Sequence, residues 1–162
     1  PDEVDRDTAW GQLCEFTRMA GEVSQHHGVR VVIEHLNDKE TNTVISLAAA
    51  EALRQAVNHR NVTLLVDSYH LGTGGEGIDA VTPVVEHVDH VHVAEVEGRG
   101  YPGRNTEPDA PGEPFDCAAL FEALKSGGYD QRMSIECGWP EGEAGKSDAM
   151  KRSCGFLRKL WG

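Results

Sequence analysis

The chain has 162 residues, with 27 acidic against 15 basic side chains and a formal net charge of −12. That length holds one domain with a sizeable core rather than two, so residues 1–162 are expected to form a single domain. Acids spread along the whole chain exclude a nucleic-acid partner, whose binding runs on Lys and Arg displacing counterions, and no apolar run is long enough to cross a bilayer or resembles a signal peptide, so a soluble cytoplasmic protein with no membrane partner is expected.

Asp7 or Thr8 is read as the cap of a first helix, in which Trp10, Leu13, Thr17, Ala20 and Val23 recur at steps of three and four as one apolar face. His26-His27-Gly28 closes it, with Gly28 as the left-handed residue after the cap. Val29–Glu34 then reads as a buried strand that delivers a carboxylate at its last residue. Asn37-Asp38-Lys39-Glu40 is loop, and Thr43 is expected to open a second helix with Val44, Leu47, Ala48, Leu53 and Val57 facing inward.

Val62–Asp67 is apolar on nearly every residue until its terminal acid, the pattern of a strand covered on both faces. Leu71–Gly77 reads as a glycine-rich loop over a pocket, followed by a short helix with Ile78, Val81, Val84 and Val85. It is not a phosphate cradle, because no Lys-Ser/Thr follows the glycines. The third strand, Val88–Glu95, carries His90 and His92 on one face, and Val96–Pro114 has too many glycines and prolines for regular structure. Long ordered loops of this kind are usually functional. Asp116 caps a helix with Leu120, Phe121 and Leu124, Met133–Glu136 is a fourth strand ending in an acid, and a last helix carries Met150, Cys154, Leu157 and Trp161.

Strands alternate with helices and no hairpin signal occurs, which predicts an α/β fold of parallel strands joined by right-handed crossovers. In such folds chemistry sits at the carboxyl ends of the strands. Glu34, Asp67, His92 and Glu136 all occupy such ends, where an acid or imidazole after an apolar run must meet water, a partner or a cation. Four of them at four successive ends point to one divalent metal. The donors are mostly hard oxygens, which suits Mn²⁺ first, with Mg²⁺ and Co²⁺ as alternatives, better than a thiolate-bound structural Zn²⁺. His90 competes with His92 for the imidazole role. His70, three residues past Asp67, and Glu40 and Arg99, in the loops after strands one and three, are placed to reach a substrate. The cysteines, Cys14, Cys117, Cys137 and Cys154, are too widely spaced for a zinc ribbon or a disulfide framework and read as free thiols.

The segments I-E-H-L-N followed by Glu40, L-V-D-S-Y-H, D-H-V-H-V-A-E with G-R-G-Y-P-G, and M-S-I-E-C, in this order at strand ends, resemble the xylose-isomerase-like superfamily of TIM barrels, which includes hydroxypyruvate isomerases and ketose 3-epimerases. The resemblance implies a (β/α)₈ barrel of which this chain supplies the C-terminal half, four strand-helix units plus a leading helix. It further implies that Glu34, Asp67, His92 and Glu136 are metal ligands, that Glu34 and Glu136 are also the catalytic acid-base pair, and that Glu40, His70 and Arg99 bind substrate. The spacing from His92 to Arg99 is closer to the hydroxypyruvate isomerase type than to the ketose 3-epimerases.

The implied activity is a metal-dependent isomerisation or epimerisation of a sugar or small hydroxy-carbonyl compound. The alternatives are a metal-dependent lyase or dehydratase, including cleavage of a carbon-linked 3-keto glycoside, and an inactive half-barrel or interaction subunit. An endonuclease IV-like activity is set aside for want of a basic face and of further His and Glu ligands. Since a full barrel needs about 250 residues, the expected partners, besides the small-molecule substrate, are a missing N-terminal half, another subunit or a second copy of the chain.

Overall fold

The computed structural model describes residues 4–162. Four parallel strands form one sheet in the spatial order β1 (Val31–Glu34), β2 (Val62–Asp67), β3 (Val88–Val93) and β4 (Met133–Ile135). Helix α1 (Arg6–His26) precedes β1, α2 (Leu47–Val57) links β1 to β2, and α3 (Ser68–Thr73) with two 3₁₀ turns links β2 to β3. Helix α4 (Cys117–Ser126) leads into β4, and α5 (Glu143–Trp161) follows it. The alternation of strand and helix in the sequence is therefore the α/β, partial-barrel architecture of the molecule. Among the described residues, no helix is long and apolar enough to cross a membrane.

Side chains alternate across each strand. Ile33, Leu64, Val66, Val91 and Val93 face the helices and join Leu47, Leu53, Leu120, Phe121 and Leu124 in the core. Burying each of them contributes about 1.5–3 kcal/mol, and this fixes the register. A slip of one residue would turn the apolar set to the other face. Asp67 pairs with His92, and His92 with Ser134, so their side chains share the face away from the helices. Glu136 lies two residues beyond Ser134. Between Val88 and His90 the β2–β3 register shifts by one residue; Asp89 sits at this irregularity and pairs with Arg30 at 2.5 Å.

Several boundaries differ from the sequence expectation. The cap of α1 is Asp5, whose side chain accepts from the Thr8 amide, rather than Asp7 or Thr8. Its buried face holds Thr17, Gly21 and Ser24, while Val23 is exposed. Val29 is also exposed, and β1 begins only at Val31. Helix α2 starts after Ser46, whose hydroxyl accepts from the Ala49 amide; Val44 is buried but lies before the helix. Leu71–Thr73 belong to α3, with Leu71 fully buried, so the loop is shorter than the glycines suggest. Met150 is exposed on α5, which instead buries Ala149 and Ser153. The segment after β3 is irregular as expected, apart from 3₁₀ turns at Glu97–Arg99 and Arg104–Thr106.

Candidate metal centre

Each strand delivers one side chain to the same place. Glu34 closes β1, Asp67 closes β2, His92 lies one residue from the end of β3, and Glu136 follows β4. One ligand atom from each lies within 4.8 Å of all the others. His92 Nδ1 is 2.8 Å from Glu136, 3.3 Å from Glu34 and 3.7 Å from Asp67 Oδ2. Asp67 is fully buried, whereas half of the Glu136 side chain is exposed, so the cluster has a closed floor and an open rim.

Asp67 divides its two oxygens. Oδ1 caps α3 by accepting from the Tyr69 amide at 2.8 Å, and Oδ2 faces the cluster. Helix cap and site carboxylate thus coexist in one side chain. Burial opposes its ionisation, but the His92 imidazole, the Tyr69 N–H and the nearby His70 and Arg99 outweigh burial and hold its carboxyl below the usual range. The carboxylates around the His92 ring, Asp67 at 3.7 Å first, then Glu34, hydrogen-bonded at 3.3 Å, and Glu136, push its pKa up to about 10 against the opposing effect of burial. His90 does not enter the cluster; its Nε2 is 2.8 Å from the Ser134 hydroxyl.

Arg99 supplies the other positive charge. Its Nη2 donates to Asp67 Oδ2 at 2.9 Å and to Glu136 Oε2 at 2.5 Å, and the guanidinium stacks 4.7 Å above the Tyr69 ring. The backbone holds it there at φ +47°, in the left-handed region that side chains seldom adopt. Its carbonyl accepts from the Gly138 amide, tying this turn to the chain leaving β4.

His70 is buried behind Asp67 rather than presented at the rim. Asn37 Nδ2 donates to His70 Nδ1 at 3.1 Å, which places the ring proton on Nε2, 3.8 Å from Asp67 Oδ2. The same Asn37 amide donates to Glu40 at 2.7 Å, so Glu40, Asn37 and His70 form a connected row leading to Asp67.

Two buried polar residues carried no assigned role from the sequence. Glu95 accepts from the Gly103 amide at 2.9 Å and from the Phe115 amide at 2.7 Å, bolting the long loop at two points. His35 is fully buried with neither ring nitrogen hydrogen-bonded, and burial, followed by the neighbouring His70, lowers its pKa to about 4. Cys137, next to Glu136, is a free thiol pushed up to about 11 by burial, which suits a packing residue rather than a nucleophile.

The model of the xylose isomerase-like TIM barrel family matches residues 1–160. The chain belongs to this family. It is 26% identical over 125 residues to a putative hydroxypyruvate isomerase of Streptomyces coelicolor, covering 73% of this chain and 42% of that protein. It is 27% identical over 137 residues to a ketose 3-epimerase of Arthrobacter globiformis, covering 83% of this chain and 43% of that protein. In structure it resembles the 3-keto-D-glucoside 4-epimerase YcjR of E. coli, with a TM-score of 0.84 and 22% identity over 97% of this chain and 56% of that one. This xylose isomerase-like chain thus spans less than half the length of the curated relatives it matches, and those relatives are sugar isomerases and epimerases.

Proposed function

We propose that the centre serves a divalent-metal-dependent isomerase or epimerase acting on a sugar or small hydroxy-carbonyl compound. The observation that carries this is the convergence of Glu34, Asp67, His92 and Glu136 within 4.8 Å. Three carboxylates and one imidazole nitrogen fit a hard divalent cation, and Mn²⁺ is the preferred candidate, with Mg²⁺ and Co²⁺ as alternatives. When bound by these four residues, the cation would supply Lewis-acid stabilisation of negative charge developing on neighbouring substrate oxygens.

The two glutamates come from the outermost strands and the other two groups from the inner pair. A substrate lying over Asp67 and His92 therefore meets a carboxylate from each side. One glutamate takes the proton from the carbon next to the carbonyl, and the C–H electron pair becomes the enediolate. The other, protonated, returns a proton to the opposite face of the same carbon for epimerisation, or to the adjacent carbon for isomerisation, in which case the hydroxyl proton also passes from the former hydroxyl oxygen to the former carbonyl oxygen. Arg99 is the anion-binding group of the rim, where a substrate carboxylate or oxyanion would replace Glu136 as its partner. Glu40 and His70 support this wall, His70 through Asp67.

Incubation of the Mn²⁺-loaded chain with hydroxypyruvate and a panel of ketoses in D₂O is expected to place deuterium on the carbon next to the carbonyl. Absence of exchange across the panel, together with absence of any Mn²⁺-induced rise in melting temperature after EDTA treatment, would leave an inactive interaction subunit instead. The long irregular loop above the site, long enough to border a bulkier substrate, favours one second possibility, a lyase or dehydratase. There the same proton removal is followed by expulsion of a leaving group from the next carbon. Release of an aglycone or water without an isomerised sugar would mark that outcome.

A further inference from the structure

The candidate centre stands on a layer of side chains one step nearer the amino ends of the strands. Residues two apart on a strand share a face, so Glu34, Asp67, His92 and Glu136 are underlain by Val32, Leu65, His90 and Ser134. The first two are apolar. The last two are polar and bonded to each other, His90 Nε2 lying 2.8 Å from the Ser134 hydroxyl.

That bond is diagonal. In the β3–β4 ladder Ser134 is the partner of His92, not of His90, so His90 reaches across to the residue level with the histidine of the cluster. The His90 ring then meets the His92 ring edge to face, with centroids 5.2 Å apart and planes at 90°.

The contact bears on the plane of His92. A metal-ligating imidazole is ordinarily oriented by its other ring nitrogen, which donates to a carboxylate, a carbonyl or water. His92 turns Nδ1 to the carboxylates, and its Nε2 has no hydrogen-bond partner among the described protein groups. The last torsion of a histidine side chain is broad and nearly two-fold. A half-turn would put Cδ2 in the place of Nδ1, and carbon binds no cation. The backbone gives limited help on this side, because the β3–β4 ladder has three pairs and stops at Ile135, one residue short of Glu136.

We propose that His90 is a positioning residue of the centre: anchored by Ser134, it fixes the ring plane of His92, and the same bond holds β4 so that Glu136 stays in reach of His92. The inference rests on reading the four groups as metal ligands. Ser134→Ala leaves the His90 ring without its anchor, and His90→Ala removes anchor and contact together. Both act through one ring, so their effects do not add.

Two measurements test this. In calorimetric titration of the metal-free chain with Mn²⁺, Ser134→Ala and His90→Ala are each expected to weaken binding about tenfold, the double variant no further than the weaker single one, and Ser134→Thr, which keeps the hydroxyl, less than about twofold. The second needs no metal. In proton–nitrogen correlation spectra of the imidazoles in EDTA, Ser134→Ala is expected to broaden or split the His92 ring signals through exchange between two orientations, whereas Ser134→Thr leaves them sharp. If His90→Ala loses helical signal in circular dichroism, the two Ser134 variants carry both measurements. Unchanged His92 signals in Ser134→Ala would overturn the proposal, as would losses of affinity that simply add. A native chain that binds no Mn²⁺ would sink the metal reading instead, and the imidazole spectra would then decide the positioning by themselves.

Discussion

Arg99 and Asp67 share one hydrogen bond, Nη2 to Oδ2 at 2.9 Å, made with the same oxygen that faces His92. The guanidinium therefore occupies part of the charge-balancing role that a divalent cation would take. Replacing Arg99 by Gln is expected to tighten Mn²⁺ binding several-fold in calorimetric titration. In EDTA the same variant should lose about 2 kcal/mol of stability, because a buried carboxylate loses a charged hydrogen-bond donor. Unchanged Mn²⁺ affinity would show that Arg99 and the cation do not compete.

The divided role of Asp67 separates two substitutions. Asp67→Asn keeps an oxygen to cap α3 but removes the charge, so the metal-induced rise in melting temperature should vanish while the fold persists. Asp67→Ala loses the cap too, and is expected to cost about 1 kcal/mol more in chemical denaturation. Equal stability of the two variants would mean that the bond to the Tyr69 amide carries no weight.

His92 gives the apo protein a defined dependence on pH. Its folded pKa is raised from 6.5 to about 10 by Asp67 and Glu34, so its contribution to stability is full below about 6.5 and is lost as pH rises through 10. In EDTA, melting temperature should fall across that window, and His92→Gln should flatten the fall. Coordination through Nδ1 requires loss of the same proton, so Mn²⁺ affinity should rise over the same range. A Mn²⁺ affinity independent of pH would remove His92 from the ligand set.

Gly72 of α3 lies against Val96 at the start of the long loop; a Cβ on Gly72 would come within 2.1 Å of Val96 Cγ2. Gly72→Ala is expected to cost about 1–3 kcal/mol by overpacking and to weaken the Arg99 contacts three residues further on. Adding Val96→Ala should restore most of the loss in urea denaturation. An additive double variant would show that the two positions do not touch in solution.

The strand ends were legible because an apolar run with one terminal charge leaves little choice: Val62–Asp67 is a strand with the bounds expected from the sequence alone. The α4 cap at Asp116 was equally plain, since its carboxylate accepts from Ala119 three residues on. The face of α1 was legible only in its first half, where Trp10, Leu13 and Thr17 turn inward as expected, while Val23 does not. Close approach to the turn after α2 and to β2 is made possible by Gly21, where a Cβ would meet His59 and Val62 at 2.8 Å. Thr17, Gly21 and Ser24 line the buried face of the helix and Trp10, Leu13 and Cys14 pack partly covered against the core, while Phe16, Met19 and Val23 are left outside. The four groups of the candidate centre could be named from strand ends, but Arg99's reach to Asp67 depends on a left-handed turn that composition does not announce. Glu95 and His35 escaped notice because their partners, or lack of them, are set by loops distant in sequence.

The two amides held by Glu95 divide the long loop unequally. Residues 96–103, between the strand end and the first bolt, carry Arg99 and are pinned at Gly103. Residues 104–114 are strung between the bolts at Gly103 and Phe115, closed within themselves by Asn105 donating to the Glu113 carbonyl. The second arm leans on the first, with Tyr101 donating to Glu107 at 3.1 Å and Arg104 packed against Gly100. A single buried carboxylate thereby ties the end of β3, the arm that carries Arg99 and the approach to α4 into one unit.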